Sequence, residues 1–310
     1  VRGITVVTDF WSRMSAAHRV GGGAAVTESL YAVTHSARRS NRQSKVIVIG
    51  HSFGGIVMEN AVSKALASQV GASPGGGAPL DLGADLVMFL NPAERSTYSR
   101  QLVTTLRRRA VRYERSGPGG TRVPMPMLVS LTSESDLATR WAFPAGIGFG
   151  RVLGVGGISG RLRKGEGKTS YNEPALEGSQ RYAIHHTPGH NPYLWSHQTS
   201  LLDYPPGDAA PLLPPDLWKQ NQFPLYDPGD GSLTFRTTKG LLVVRPEGGY
   251  NQTPYWIGRV DKELVDGHSK IWLKNVLTMA VSLANMKDGL LLPNGRTLGP
   301  DRGAKPRVMK

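Results

Sequence analysis

Residues 45–66, KVIVIGHSFGGIVMENAVSKAL, constrain the fold more than any other stretch of the chain. Residues 45–49 form a short apolar run rich in β-branched side chains, which suits a strand buried on both faces of a parallel sheet. From Phe53 onward the period becomes helical: Val57, Ala61 and Ala65 recur every fourth residue, as do Met58, Val62 and Leu66. Between strand and helix stands Gly50-His51-Ser52-Phe53-Gly54, a G-x-S-x-G turn. A serine on so tight a strand-to-helix turn takes up a strained backbone. Side chains two residues before and after it would collide, so glycine is expected at Gly50 and Gly54. Gly55 is expected to let helix and strand approach closely. Such a turn lifts the Ser52 hydroxyl to the carboxyl edge of the sheet, where a helix N-terminus offers free N–H groups and a positive dipole end. The N–H of Phe53 is then expected to face a developing oxyanion.

The pattern extends on both sides. Residues 3–8 read as a short strand, residues 10–18 as a possible helix and residues 24–38 as a helix with a loose apolar stripe. Residues 85–90 and 125–131 read as further buried strands, with a basic helix over 97–115 between them. Residues 255–260 are strand-like, and 271–283 carry an amphipathic helix pattern. Strands alternating with helices predict an α/β fold: a mostly parallel sheet flanked by helices. Residues 141–253, rich in Gly, Pro, Asn and aromatics, are expected to be an irregular cap or insertion and not a sheet core. The expected division is a core of 1–140 and 254–295, a cap of 141–253 and a basic tail of 296–310.

The Ser52 turn resembles the nucleophile elbow of α/β-hydrolases, particularly serine esterases and lipases. That resemblance implies a serine, an acid and a histidine in this order along the chain. The acid belongs after a strand at the same sheet edge, where residues 125–131 lead into Thr132-Ser133-Glu134-Ser135-Asp136. Asp136 is the candidate and Glu134 the alternative; Asp136 also suits a helix cap. The base belongs on a loop after the final strand, which selects His268 among eight histidines. A surface histidine at a helix start is the plainer reading of His268. His51, beside the nucleophile, is expected to point away from it, into packing or a pocket wall. The same resemblance implies several strands before the elbow and a His-Gly type loop giving a second oxyanion N–H. The residues before Ser52 have room for only one strand, so the hydrolase-like fold is expected to be incomplete at its N-terminal side.

Composition narrows the chemistry. The chain has no cysteine, which excludes disulfides, a thiolate nucleophile and Cys-ligated zinc. His185, His186, His190 and His197 crowd together, and His186 and His190 have a metal-like i, i+4 spacing. Pro188 and Gly189 between them oppose a helix, and no glutamate completes a zinc-protease motif. No metal and no cofactor is therefore expected. The net charge is +14, but the basic clusters at 107–109, 161–164 and 302–310 accompany no nucleic-acid motif, so no nucleic-acid partner is expected. Trp141, Phe143, Phe149 and Leu153 offer an apolar cap for a membrane surface, with core packing the plainer reading. With no signal-peptide pattern, the expected setting is cytoplasmic. The expected function is cleavage of a small-molecule or lipid carboxylic ester through an acyl-enzyme on Ser52. Amide cleavage or acyl transfer on the same three residues, and a hydrolase-derived binding scaffold, stand as alternatives.

Overall fold

The computed structural model describes residues 2–72, 80–108, 114–116, 122–152, 183, 185–203, 224–237, 240–247, 253–271, 274–292 and 297–298. The glycine-rich stretch beyond residue 152, the basic run 161–164, the proline cluster 205–215 and the tail 296–310 apart from 297–298 lie outside these residues.

The order of elements begins with two helices, α1 (Arg2–Gly22) and α2 (Ala24–Ser40). Next come β1 (Ile47–His51), α3 (Phe53–Ala72), β2 (Leu86–Leu90) and α4 (Ser96–Arg108). A small hairpin follows, β3 (Glu114–Ser116) with β4 (Arg122–Pro124), then β5 (Leu128–Ser133). A π-helical turn, Ala138–Ala142, runs into α5 (Phe143–Val152). The strands β6 (His197–Asp203), β7 (Leu225–Tyr226), β8 (Leu233–Arg236), β9 (Gly240–Pro246) and β10 (Tyr255–Val260) come next. Helix α6 (Lys274–Asn285) and the short β11 (Leu290–Leu291) and β12 (Thr297–Leu298) close the described chain.

Among the described residues, all strands but the hairpin lie in one mixed sheet of order β1-β2-β5-β10-β6-β9-β8-β7-β11-β12. The first five strands in that order are mutually parallel, with His51 level with Leu90, Leu90 with Leu131, and Ser133 with Val260. From β6 to β7 the pairing is antiparallel. The fold is thus α/β, with a parallel half that carries helices on both faces.

Alternation along β2 shows how the two faces fill. Leu86, Met88 and Leu90 join one core with Val129, Leu131, Trp256 and the buried face of α6 (Val276, Met279, Ala280, Leu283). Val87 and Phe89 join the other with Leu128, Tyr255, Ile257, and with Val62 and Leu66 of α3 and Leu102, Val103 and Leu106 of α4. A strand buried on both faces reads as an unbroken apolar run, as residues 86–90 do.

Two expectations do not hold. Residues 3–8 are helical, not a strand. Their β-branched run favours a strand only locally; Met14 and Ala17, buried against Ile56, Phe143 and Ile147, give α1 a helical face to pack. With helices in the described chain before it, β1 pairs only with β2 and forms the edge of the sheet. Residues 141–253, expected to stay outside the sheet, contribute β6, β7, β8 and β9 to it. Leu241, Leu242, Val243 and Val244 are buried there as a core strand.

Candidate active site

In a parallel sheet every strand presents its carboxyl end at the same edge. Here β1 runs out into Ser52, β2 into Asn91, β5 into Asp136, and β10 into the loop that holds His268. The topology therefore brings four chain segments, remote in sequence, to one row.

Ser52 sits at φ +53°, in the left-handed region that an L-residue occupies at a cost of order 1–3 kcal/mol. Its backbone is held from several sides. Its N–H donates to the Leu90 carbonyl (3.2 Å), and its own carbonyl accepts from the N–H of Gly55 (3.0 Å) and of Ala93 (3.2 Å). The expected steric logic holds for Gly50, where a Cβ would lie 2.7 Å from the Gly54 carbonyl oxygen. It fails for Gly54, whose Cβ would meet nothing within 4 Å. Gly55 carries the second constraint instead: a Cβ there would come within 2.8 Å of the Pro92 ring. Phe53 opens α3, so its N–H belongs to the first turn, which has no intrahelical acceptor.

The Ser52 hydroxyl lies 2.8 Å from His268 Nε2, and His268 Nδ1 lies 2.8 Å from Asp136 Oδ2. With Nδ1–H donating to the carboxylate, Nε2 is free to accept the serine proton. Asp136 is wholly buried, yet its carboxylate is held below the usual range. Burial alone would raise it; hydrogen bonds from His268 and Thr139 outweigh that penalty. Asp136 Oδ1 accepts from the N–H groups of Ala138 (2.9 Å) and Thr139 (3.2 Å), and Oδ2 accepts from the Thr139 hydroxyl (2.7 Å). Asp136 therefore also caps the helical segment that follows it, as its position suggested. Glu134, the alternative acid, is half-buried and faces Arg259 at 3.5 Å.

The loop holding His268 is fastened by groups the sequence did not single out. Asn91, fully buried at φ +44°, donates to the carbonyls of Gly267 (2.9 Å) and His268 (3.0 Å) and accepts from the Ser133 N–H (2.8 Å). Ser135 accepts from the Gly267 N–H (2.8 Å), and the Ser133 hydroxyl donates to the Val265 carbonyl. His51 packs against His268. Its Nε2–H donates to the His268 carbonyl (2.7 Å), and the two rings lie 4.9 Å apart between centroids. Burial lowers the affinity of His51 for a second proton, which keeps it a neutral donor. One signal for Asn91 was present in the sequence: a polar residue tolerant of positive φ, placed between an apolar strand and a proline.

Beside Ser52, the Phe10 ring meets Phe143 edge-on at 5.8 Å and lies tilted against Phe53 at 5.7 Å between centroids. Phe143, considered for an apolar cap, is buried in this cluster, whereas Trp141 is exposed with Arg140 over its ring. The side chain of Phe149 and all of Leu153 lie outside the description. His197 stacks on Trp256 at 3.9 Å between centroids, and its burial pushes its imidazole down to about 3. Among the described residues no three His, Asp or Glu side chains converge as a metal site would require. No described helix is long and apolar enough to cross a membrane.

No protein-family model, curated protein or solved structure matches this chain.

Proposed function

We propose that the chain is a serine hydrolase of α/β-hydrolase type that cleaves carboxylic esters. The observation that carries this reading is the unbroken run Ser52 Oγ, His268 Nε2, His268 Nδ1, Asp136 Oδ2, with both links at 2.8 Å. It gathers three segments at the carboxyl edge of one sheet, on a strained serine that the backbone pins in place.

The steps follow from those contacts. Ser52 Oγ attacks the ester carbonyl carbon while His268 Nε2 takes the hydroxyl proton. The carbonyl electron pair moves onto oxygen, beside the Phe53 N–H and the positive end of α3. Asp136, ionised and buried, stabilises the imidazolium and fixes its ring. When the tetrahedral adduct collapses, the carbon–alkoxide bond breaks and His268 returns the proton to the leaving alcohol. Water then attacks the acyl-serine, giving its proton to His268. The acid departs and the proton goes back to Ser52.

Hydrolysis of short-chain aryl esters by the purified chain, with Ser52→Ala as control, tests the reading. Turnover lost in the variant is the expected result. Equal background rates for both proteins would point instead to a binding scaffold. Matched ester and amide substrates then rank the two leaving groups.

A further inference from the structure

The hydrogen-bond chain does not end at the acid. Asp136 Oδ2 accepts from His268 and also from the Thr139 hydroxyl at 2.7 Å, and Thr139 Oγ1 lies 3.1 Å from Nε2 of His190. The ester mechanism above uses only Ser52, His268 and Asp136, and leaves Thr139 and His190 without a part.

Proton counting assigns the directions. A threonine hydroxyl has one hydrogen, and the short contact to an ionised carboxylate claims it. Thr139 Oγ1 must therefore accept from His190, which carries its hydrogen on Nε2. That requires a hydrogen on Nε2, which the imidazolium and one neutral tautomer both carry. Burial pushes its imidazole down to about 4; Asp136 pulls it upward, and Arg140, Arg259 and His186 oppose that pull. At neutral pH His190 is thus a neutral donor.

The position of His190 is built into the fold. It ends a 3₁₀ turn, Pro188–His190, that lies directly on β5 and β10. Gly189 makes that approach possible: a Cβ there would fall 2.2 Å from the Thr132 side chain and 3.3 Å from the Gly258 carbonyl oxygen. The Gly189 carbonyl accepts from the Trp195 indole N–H (3.0 Å), and the Trp195 ring lies under the Arg259 guanidinium at 4.2 Å. The His190 N–H itself donates to the Thr187 carbonyl (3.0 Å).

We infer that Thr139 and His190 are positioning residues that extend the Ser52–His268–Asp136 array to five members, holding the Asp136 carboxylate in the rotamer that orients His268. Without the Thr139 hydroxyl, Oδ2 loses its second donor and the carboxylate can tilt away from Nδ1. Without His190, the Thr139 hydroxyl is no longer aimed. This inference rests on the serine-hydrolase reading.

The test compares Thr139→Val, Thr139→Ser, His190→Ala, His190→Gln and the Thr139→Val/His190→Ala double variant with the wild type. Each is assayed for kcat and KM on a short-chain aryl ester, for labelling rate with an organophosphonate, and for Tm. Loss of a hydrogen bond to a charged group predicts a fall in kcat of about 10- to 100-fold for Thr139→Val. His190→Ala, one bond further away, is expected to lose about 3- to 10-fold, with KM nearly unchanged for both. Thr139→Ser keeps the hydroxyl, and His190→Gln places an amide N–H where Nε2–H stood, so both should recover most of the rate. Because the two residues act in series, the double variant should be no slower than Thr139→Val alone. A folded His190→Gln as slow as His190→Ala would overturn the inference. So would fully multiplicative losses in the double variant, or a loss carried by KM. A wild type that neither hydrolyses the ester nor takes the label removes the serine-hydrolase reading itself. An active, labelled wild type with unimpaired His190→Ala and Thr139→Val removes only the extension.

Discussion

Replacing Asp136 with Asn changes one atom, and the structure dictates which way that atom must face. Oδ1 accepts from the backbone N–H groups of Ala138 and Thr139, which cannot turn away. The Asn carbonyl oxygen must take that place, so the amide nitrogen replaces Oδ2. There it faces His268 Nδ1 at the 2.8 Å separation of the parent contact. Its N–H donates to Nδ1, and the imidazole must move its own hydrogen to Nε2. Nε2 then presents a hydrogen to the Ser52 hydroxyl, where the reaction needs a lone pair. The negative charge that steadies the imidazolium is lost at the same time. A wrong tautomer with intact geometry costs on the order of 10⁴-fold in kcat for triad enzymes, about 5 kcal/mol of barrier. The capping bonds at Oδ1 survive, so the protein should remain folded, and Tm serves as the control. Steady-state kinetics on an aryl ester measure the effect. Asp136→Asn within about tenfold of wild type, with an unchanged Tm, would refute the reasoning, because a carboxylate that sets the His268 tautomer and steadies its charge cannot be lost so cheaply.

Further outcomes follow from the same contacts. Asn91→Ala removes the side-chain partner of the Gly267 carbonyl and the Ser133 N–H and one of the two side-chain donors to the His268 carbonyl, which keeps His51. It should lower stability by about 2–4 kcal/mol, read by denaturant unfolding, and reduce kcat with it. Gly50→Ala forces a Cβ against the Gly54 carbonyl and should cost about 1–3 kcal/mol, whereas Gly54→Ala, in an open part of a helix, should be neutral or stabilising by up to about 1 kcal/mol. Comparing the two melting curves checks this. Glu59, wholly buried between Ser99 and Tyr255, has its carboxyl raised by burial to about 7. A raised carboxyl pKa means the native state binds more protons than the unfolded chain, so its contribution is full below about pH 4 and fades as pH rises through about 7. Wild-type Tm should therefore fall between pH 5 and pH 8 more steeply than that of Glu59→Gln; parallel curves would contradict this.

The elbow was legible because its evidence is local. An apolar strand, G-x-S-x-G and a helical period occur within about twenty consecutive residues, and the turn geometry needs no distant partner. Asp136 and His268 could be chosen because strand ends in a parallel sheet share one edge, so placing the strands placed the loops. Asn91 escaped notice because its work is done on a loop 176 residues away, through carbonyl groups that carry no sequence signature. Thr139 and His190 are hidden for the same reason, joined across 51 residues by a single contact. Gly54 looked constrained and is not, since the crowding at the turn falls on Gly50 and Gly55. The first helix was misread because Ile4 to Thr8 has a strand's composition, while Met14 and Ala17 decide the outcome through tertiary packing. The strand Gly240–Pro246 has its own apolar, β-branched run, but it stands among glycines and prolines whose composition is that of loops.

Reaction with an organophosphonate, followed by mass mapping of the peptide that spans Ser52, tests the proposed chemistry most directly. One phosphonyl group per chain on Ser52, and no adduct in either Ser52→Ala or His268→Ala, is the expected result. A folded wild-type chain that stays unmodified, or one labelled equally well without His268, would contradict an activated serine at this site.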